Sequence, residues 1–385
     1  AIDSGIDRVE LRHRNFIRPE QFPYTTPTGR VYDSGEYSRL LDKAIERADW
    51  HSIDGRRAES AARDRIRGIG LCYYVEICAA GGDEAPHVYF DRAGRVILLM
   101  GTQAGGQGHE TSFAQMVAAG LGVPMSQVDV LQGDTDIIPS GQGTGGSRSM
   151  VIGGNALYHS VAAVLDAGRK MAAELLEAAA GEIEYTEGHF AIVGTDRRVP
   201  LAEVAAASWD DNKRPAEVNA GLRASEKFKA GTGTFPNGCH ICELEIDPDT
   251  GTVEVLRYTI EDDVGTVVNP LILEGQIVGG VAQGIGQAWG EHAVYDPESG
   301  QLLTATLMDY TMPRADWLPM IDFAYTEVAS PMNPIGIKGA GEAGTIGSAP
   351  AFVSALLDAL GSRGITHFDM PASPQRLWQA PVSYT

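Results

Sequence analysis

Glu342 stands in the run Pro334-Ile335-Gly336-Ile337-Lys338-Gly339-Ala340-Gly341-Glu342-Ala343-Gly344, a lone carboxylate among glycines. With no side chain at Gly339, Gly341 or Gly344, the backbone can take positive φ and let a bulky partner approach it. A carboxylate so placed suits a general base, which must meet a substrate or cofactor with nothing bulky in the way. The same residues describe a glycine-rich turn carrying a solvated Glu equally well, and this segment alone does not choose between the two.

Three other segments share its character. They are Gly101–Thr111, holding Gly105, Gly106, Gln107 and Gly108; Gly143–Ser149, holding Gly146, Ser147, Arg148 and Ser149; and Glu274–Gly280, holding Gln276. Amide and hydroxyl side chains on bare backbone are the means of holding a large, polar, phosphate-bearing cofactor. Gly143–Ser149 also opens a long helical pattern, so its unpaired N–H groups offer an anion seat, with simple capping by Ser147 or Ser149 as the competing reading.

Other motifs fail their context tests. Gly141, Gly143, Gly146 and Gly339, Gly341, Gly344 both match G-x-G-x-x-G, yet neither follows a buried apolar strand as a dinucleotide fold requires. No phosphate-binding G-x-x-x-x-G-K-[ST], no H-E-x-x-H and no G-x-S-x-G occurs. Cys239-His240-Ile241-Cys242 matches C-x-x-C but lies in a run that reads as a strand, where positions three apart face opposite ways and cannot clasp one ion. With Cys72 and Cys78 these read as core thiols in a reducing, cytoplasmic setting. None of the segments supplies a His/Cys cluster, so any metal would be carried by the cofactor rather than ligated by the protein.

The elements that must position these segments follow from periodicity and turn chemistry. Val88–Leu98 and Leu244–Val255 read as strand, Asp/Gly turn, strand, and Val294–Leu302 repeats the pattern. Helical spacing predicts helices around Tyr37–Trp50, Arg56–Arg67, His109–Leu121, Arg148–Ala180 and Leu271–Trp289, with Phe22–Gly29 as extended loop. The expected fold is α+β: two related hairpin-sheet-plus-helix units, each covered by helices on one side. Residues 1–65 form a polar helical and loop lead-in, 66–230 the first cofactor-binding unit and 231–385 the second, which carries the Glu342 loop.

Composition limits the partners. With 51 acidic against 30 basic residues and a net charge of −21, the chain is no candidate for binding nucleic acid. No run looks apolar enough to span a membrane. The 46 glycines cluster in a few segments, which points to close backbone approaches rather than disorder.

The order and wording of these segments, from Asp7-Arg8-Val9-Glu10-Leu11-Arg12-His13-Arg14-Asn15-Phe16-Ile17 to the Glu342 loop, resemble the molybdenum-cofactor subunit of the xanthine dehydrogenase/aldehyde oxidase family of molybdenum hydroxylases. The resemblance runs over nearly the whole chain and is nearest to bacterial three-subunit members. It implies the molybdopterin-binding type of α+β fold and a molybdopterin cofactor, in cytosine dinucleotide form, carrying molybdenum. Gly105–Gly108 and Gly146–Ser149 would bind its phosphate and nucleotide tail. Gln276 would touch the pterin or the metal's ligands, and Lys338, Gly339 and Gly341 would lie along the cofactor. Glu342 would be the base beside molybdenum.

The implied reaction is hydroxylation of an electron-poor carbon in an N-heteroaromatic or aldehyde-type substrate, with water as oxygen source. Electrons would pass to [2Fe-2S] and FAD centres on an iron–sulfur subunit and a flavin subunit. A full molybdenum subunit of this family is roughly twice as long. The resemblance therefore also implies a separate or removed N-terminal half, inactivity of the chain alone, and an apolar face awaiting that half. The alternative is a non-catalytic assembly subunit that retains the fold.

Overall fold

The computed structural model describes residue 1 and residues 3–383. The elements that position the site are, in chain order, α1 (Tyr37–Arg47), α2 (Ile53–Ala61), β1 (Ile66–Val75), β2 (His87–Phe90), β3 (Val96–Met100), α3 (His109–Leu121), β4 (Val128–Gln132), α4 (Gly154–Leu175), β5 (Asn237–Ile246), β6 (Val253–Asp263), α5 (Pro270–Trp289), β7 (Ile321–Tyr325) and α6 (Ala343–Leu360). Among them α3 and α5 lie where the apolar spacing predicts. The pattern from Arg148 begins as a π-helical turn, Ser149–Gly153, and runs into α4, which stops at Leu175. The second predicted helix is shorter than its pattern: α2 ends at Ala61, the chain turns through Asp64 at φ 56°, and Ile66 opens β1.

Two of the three expected hairpins form. In β2–β3 the Asp91 carboxylate accepts the N–H groups of Ala93 and Arg95 while Gly94 takes φ 83°; in β5–β6 Gly251 takes φ 72°. Asx-type bonds and one left-handed residue thus set both turns. The third turn is made, with Asp296 accepting from Ser299 and Gly300 at φ 71°, but its arms meet only at the Tyr295–Leu302 bridge. Among the described residues no neighbouring strand extends that pair into a sheet. The predicted loop 22–29 likewise contains a short strand, Tyr24–Thr25, paired with Val31–Tyr32.

β4 pairs parallel to β3 to complete a three-stranded sheet, order β2-β3-β4, with α3 and α4 packed against it. The second sheet has the order β7-β6-β5-β1. β5 lies antiparallel to both β1 and β6, and β7 runs parallel to β6. β1, placed by sequence at the head of the first unit, therefore belongs by its pairing to the sheet of the second.

Helices cover both faces of that second sheet, not one. Cys242, Leu244 and Ile246 point to the core shared with α5 and α6, whereas Cys239 and Ile241 point to the core shared with α1 and α2. The C-x-x-C thiols therefore sit on opposite faces. On the α1/α2 face, buried acids of the sheet are paired with the arginines of the opening stretch: Arg56–Glu243 at 2.8 Å, Arg63–Glu245 at 2.5 Å and Arg47–Glu261 at 3.1 Å. The polar stretch 1–65 is thus the lid of a sheet as well as a lead-in.

α6 crosses β1 with almost nothing between the two backbones. A Cβ on Gly68 would lie 2.2 Å from the Ala355 carbonyl oxygen, and one on Gly70 2.3 Å from that of Ala351. Where α5 meets α6, a Cβ on Gly344 would lie 2.2 Å from the Ile277 carbonyl. Much of the glycine in this chain therefore serves contact between its own elements. Ala343–Arg363 is, against expectation, long and apolar enough to cross a membrane, with a mean hydropathy of 1.3. Its apolarity has another explanation: Phe352, Ala355 and Leu356 are fully buried against the sheet and α5. Burial of such a Phe or Leu is worth roughly 1.5–3 kcal/mol.

Candidate functional site

All four glycine-rich segments meet at one cavity of about 150 Å³. Gln107 comes from the first, Ser147 and Ser149 from the second, Gln276 from the second turn of α5, and Lys338, Gly339 and Gly341 from the last. The start of α3 contributes His109 and Ser112, and the start of α5 contributes Asn269, Ile272 and Leu273. The N-termini of α3, of the π turn leading into α4, of α5 and of α6 consequently face one space. Helix N-termini carry unpaired N–H groups and positive dipole, and several aimed at one cavity favour an anionic occupant.

Glu342 is the N-cap of α6 and stands exposed at the rim. Its carboxylate does not cap its own helix. Instead Glu342 Oε2 accepts the Ser147 hydroxyl at 2.7 Å, and Ser147 Oγ accepts the Glu342 N–H at 3.1 Å. Ser147 holds this position with φ 51°, a left-handed conformation unusual for a residue with a side chain. Gly339 and Gly341 are needed here for space. A Cβ on Gly339 would lie 2.4 Å from Cys78 Cβ and 2.7 Å from the Ser147 carbonyl, and one on Gly341 3.3 Å from Ser147 Oγ. Neither Gly339, Gly341 nor Gly344 has positive φ, so the expected left-handed backbone is replaced by close packing.

Two candidate side chains turn away from the cavity. Lys338 is wholly buried; its ammonium donates to Asp263 Oδ2 at 2.5 Å and to the Ser34 carbonyl at 3.3 Å. Burial pushes the Asp263 carboxyl up, and Lys338 opposes this. Asp263 also accepts the N–H groups of Gly265 and Val328, so the pair staples the Glu342 loop to the end of β6. Arg148 pairs with Glu84 at 3.1 Å and donates to the carbonyls of Gly143 and Asp83. It fixes the second glycine loop from behind. Gly105, Gly106, Gly108 and Gly146 shape the loops without lining the cavity: Gly108 at φ 72° starts α3, and the Gly146 carbonyl accepts from Ala79.

Sequence reasoning passed over two residues here. His109 opens α3 and lines the cavity; its Nδ1 is buried without a partner, and burial lowers its pKa so that the ring is neutral. Glu76, just past β1, is buried beside Glu342 and Cys78, and burial is the main cause of a pKa raised to about 7. The one signal for Glu76 was an acid closing an apolar strand. Neither Phe235 nor Tyr310 lines the cavity: Phe235 packs on Tyr32, and the Tyr310 hydroxyl donates to Glu291. Trp289 packs on Trp317.

The donor set suits an anionic pterin cofactor, and the orphaned His109 nitrogen is a feature such a ligand would use. Among the described residues no group of three His, Cys, Asp or Glu side chains is arranged to hold a metal ion directly.

Comparison with known proteins gives the family. Residues 43–319 match the family described as molybdopterin cofactor-binding domain. The carbon monoxide dehydrogenase large chain of Hydrogenophaga pseudoflava is 37% identical over 98% of this chain and 48% of its own length. The nicotine 6-hydroxylase large subunit of Paenarthrobacter nicotinovorans is 34% identical over 97% of this chain and 47% of its own. The crystal structure of quinoline 2-oxidoreductase from Pseudomonas putida 86 superposes with a TM-score of 0.91 at 33% identity, covering 99% of this chain and 50% of that one. The chain thus spans about half the length of these relatives. It belongs to the molybdopterin cofactor-binding family, as part of a molybdenum-cofactor subunit of the molybdenum hydroxylases.

Proposed function

We propose that this chain forms one side of a molybdenum hydroxylase active site, with Glu342 as its general base. The observation that carries the reading is the convergence of four helix N-termini and four glycine-rich segments on one cavity, with a single anchored carboxylate at its rim. Gln107, Ser149, Gln276 and the backbone from Lys338 to Gly341 would hold the pterin, its phosphate and its tail, the last in cytosine dinucleotide form. When bound, the molybdenum cofactor supplies the oxygen-atom and two-electron chemistry. Glu342, presented by α6 and oriented by the Ser147 hydroxyl, accepts the proton that the reacting oxygen gives up. One of its oxygens is engaged by Ser147, which leaves the other to take that proton.

The substrate class in this reading is an electron-poor carbon in an N-heteroaromatic or aldehyde-type compound. Electrons leave to [2Fe-2S] and FAD centres on partner subunits, in the cytoplasm. The remaining half of the active site comes from chain outside these residues. Leu307, Met308 and Met320, 75%, 92% and 95% exposed, are large apolar side chains open to solvent and suited to meeting it.

The test is Glu342→Gln in the assembled enzyme. Turnover should fall by about 10²–10⁴-fold, the range for loss of a positioned base, while molybdenum and pterin content hold. Loss of cofactor together with activity would make Glu342 a structural residue. A complex that contains no molybdenum at all would favour the assembly-subunit alternative.

A further inference from the structure

Little more than one turn into α6, the helix rests on a buried side chain that the reading above does not use. A Cβ on Gly347 would lie 2.5 Å from both Cγ and Cδ2 of His240, so the helix backbone lies directly on the imidazole. His240 sits within β5 and is fully buried. At Gly344, nearer Glu342, the contact is of another kind. There α6 rests on α5 backbone, and the Thr345 hydroxyl donates to the Gly280 carbonyl at 2.9 Å.

Both nitrogens of the His240 ring face a group of β6. Nδ1 lies 3.0 Å from the Tyr258 hydroxyl, and Nε2 lies 3.5 Å from Asp262 Oδ1. Tyr258 and Asp262 are themselves buried. Tyr74 of β1 and Tyr258 stand edge-on to the imidazole, with centroids 5.6 and 5.8 Å away. Asp262 in turn presses on Gly238, where a Cβ would fall 1.7 Å from Oδ1. Three strands thus hold one ring beneath one helix.

Packing alone does not call for this polarity. His240 Nε2, the Tyr74 hydroxyl and both Asp262 oxygens are buried with no hydrogen-bond partner. Such atoms cost stability, and one attested role for polar groups kept in a core is to fix a single geometry. A phenyl ring would fill the place without that cost, but nothing would set its plane. An imidazole faced at both nitrogens has its plane set.

We propose that His240 is a positioning residue for Glu342, its ring being the seat that sets the height of the first turns of α6 above the sheet. This inference rests on the reading of Glu342 as the base. Gly347 follows Glu342 by about 7.5 Å of helix. Over so short a rod, a shift at the seat reaches the carboxylate nearly undiminished. It is felt at the two bonds between Glu342 and Ser147, whose loop is anchored separately through Arg148 to Glu84.

Hydrogen–deuterium exchange on the full chain tests the seat without cofactor. Tyr258→Phe removes the hydroxyl at Nδ1 and keeps the aromatic volume. The peptide carrying the Glu342 N–H, which donates to Ser147 Oγ, should then exchange at least about threefold faster, while peptides of β5 and β6 keep their protection. No change at Glu342, or an equal loss across the sheet, overturns the proposal.

A second measurement uses the assembled enzyme. Gly347→Ala pushes α6 off the ring, and kcat should fall about 10- to 100-fold with KM and molybdenum content unchanged. His240→Asn in that background makes room for the added methyl and keeps a polar group, so part of the lost kcat should return. Unchanged kcat in Gly347→Ala, cofactor loss in step with activity, or no recovery in the double variant overturns the proposal. Failure of the base reading is separate: it would show as full turnover in Glu342→Gln and would leave the exchange result standing.

Discussion

Ser147 and Glu342 hold each other through both a side chain and a backbone. The serine hydroxyl donates to Glu342 Oε2 at 2.7 Å and accepts the Glu342 N–H at 3.1 Å, joining loops 195 residues apart. Because Ser147 sits at φ 51°, the bond pair is made at some conformational cost, of the kind kept where geometry matters to function. Ser147→Ala removes both bonds and leaves the carboxylate free to rotate. Turnover should fall about 10- to 100-fold at unchanged molybdenum content, mostly in kcat, since misplacement of a reacting group by about an ångström has effects of that size. Steady-state kinetics with metal analysis on the same sample check this.

Gly339 leaves no room for a methyl group. A Cβ there would stand 2.4 Å from Cys78 Cβ and 2.5 Å from its sulfur, with the Ser147 carbonyl at 2.7 Å. Gly339→Ala should push the loop off the Cys78–Ser147 floor, so cofactor retention after gel filtration should drop together with activity. Cys78→Ala in the same background should restore part of both.

The Lys338–Asp263 pair is buried on both sides, and the two partners should behave unequally alone and together. Lys338→Met strands an acid inside the protein, at a cost of about 3–5 kcal/mol in unfolding free energy. Lys338→Met with Asp263→Asn should recover a large part of that loss. A denaturant-melt double-mutant cycle measures the coupling.

Glu76 gives a stability signature with a definite sign. Its pKa is raised in the fold to about 7, so between the ordinary carboxyl range and pH 7 the folded chain holds a proton that the unfolded chain has released. Stability is therefore highest below that window and falls as pH rises through it, by on the order of 3 kcal/mol from this group. Glu76→Gln should flatten that limb of the curve and be more stable than the parent at pH 8. Thermal melts at pH 5 and pH 8 on both proteins decide it.

Met308 and Met320 are 92% and 95% exposed, and Leu307, next to Met308 in sequence, is 75% exposed. In the isolated chain both methionines should oxidise rapidly under mild peroxide. In the assembled enzyme they should be protected at least several-fold, as read by peptide mass spectrometry. Equal oxidation in the two states would remove this stretch from any interface.

The residues show why some of this could be read in advance and some could not. α3 and α5 were legible because their apolar residues recur at helical spacing, and two hairpins because Asp and Gly set their turns locally. The Glu342 loop stood out because a carboxylate among glycines is unusual. What glycine was for could not be read: the same absence of a side chain permits a left-handed turn, a ligand or another backbone, and at Gly68, Gly70, Gly339 and Gly344 the partner is the protein itself. Lys338 and Arg148 looked like cofactor grips, since their buried acidic partners lie 75 and 64 residues away in sequence. Glu76 was hidden for the same reason, its meaning arising only when β1 ends beneath the loop of Glu342.

The crossing of α6 over Gly68 and Gly70 has a consequence for how this site can vary. The helix that ends in Glu342 is located by backbone resting on backbone, about 14 Å along its axis from the carboxylate. No side chain at that crossing can be exchanged to tune it, and any added atom lifts the whole rod. The Glu342 carboxylate is thereby indexed to the sheet, while the cavity walls on α3, α5 and the glycine loops remain free to change. If Glu342 is the base proposed above, a lineage with this architecture can trade one substrate for another without moving the atom that takes the proton.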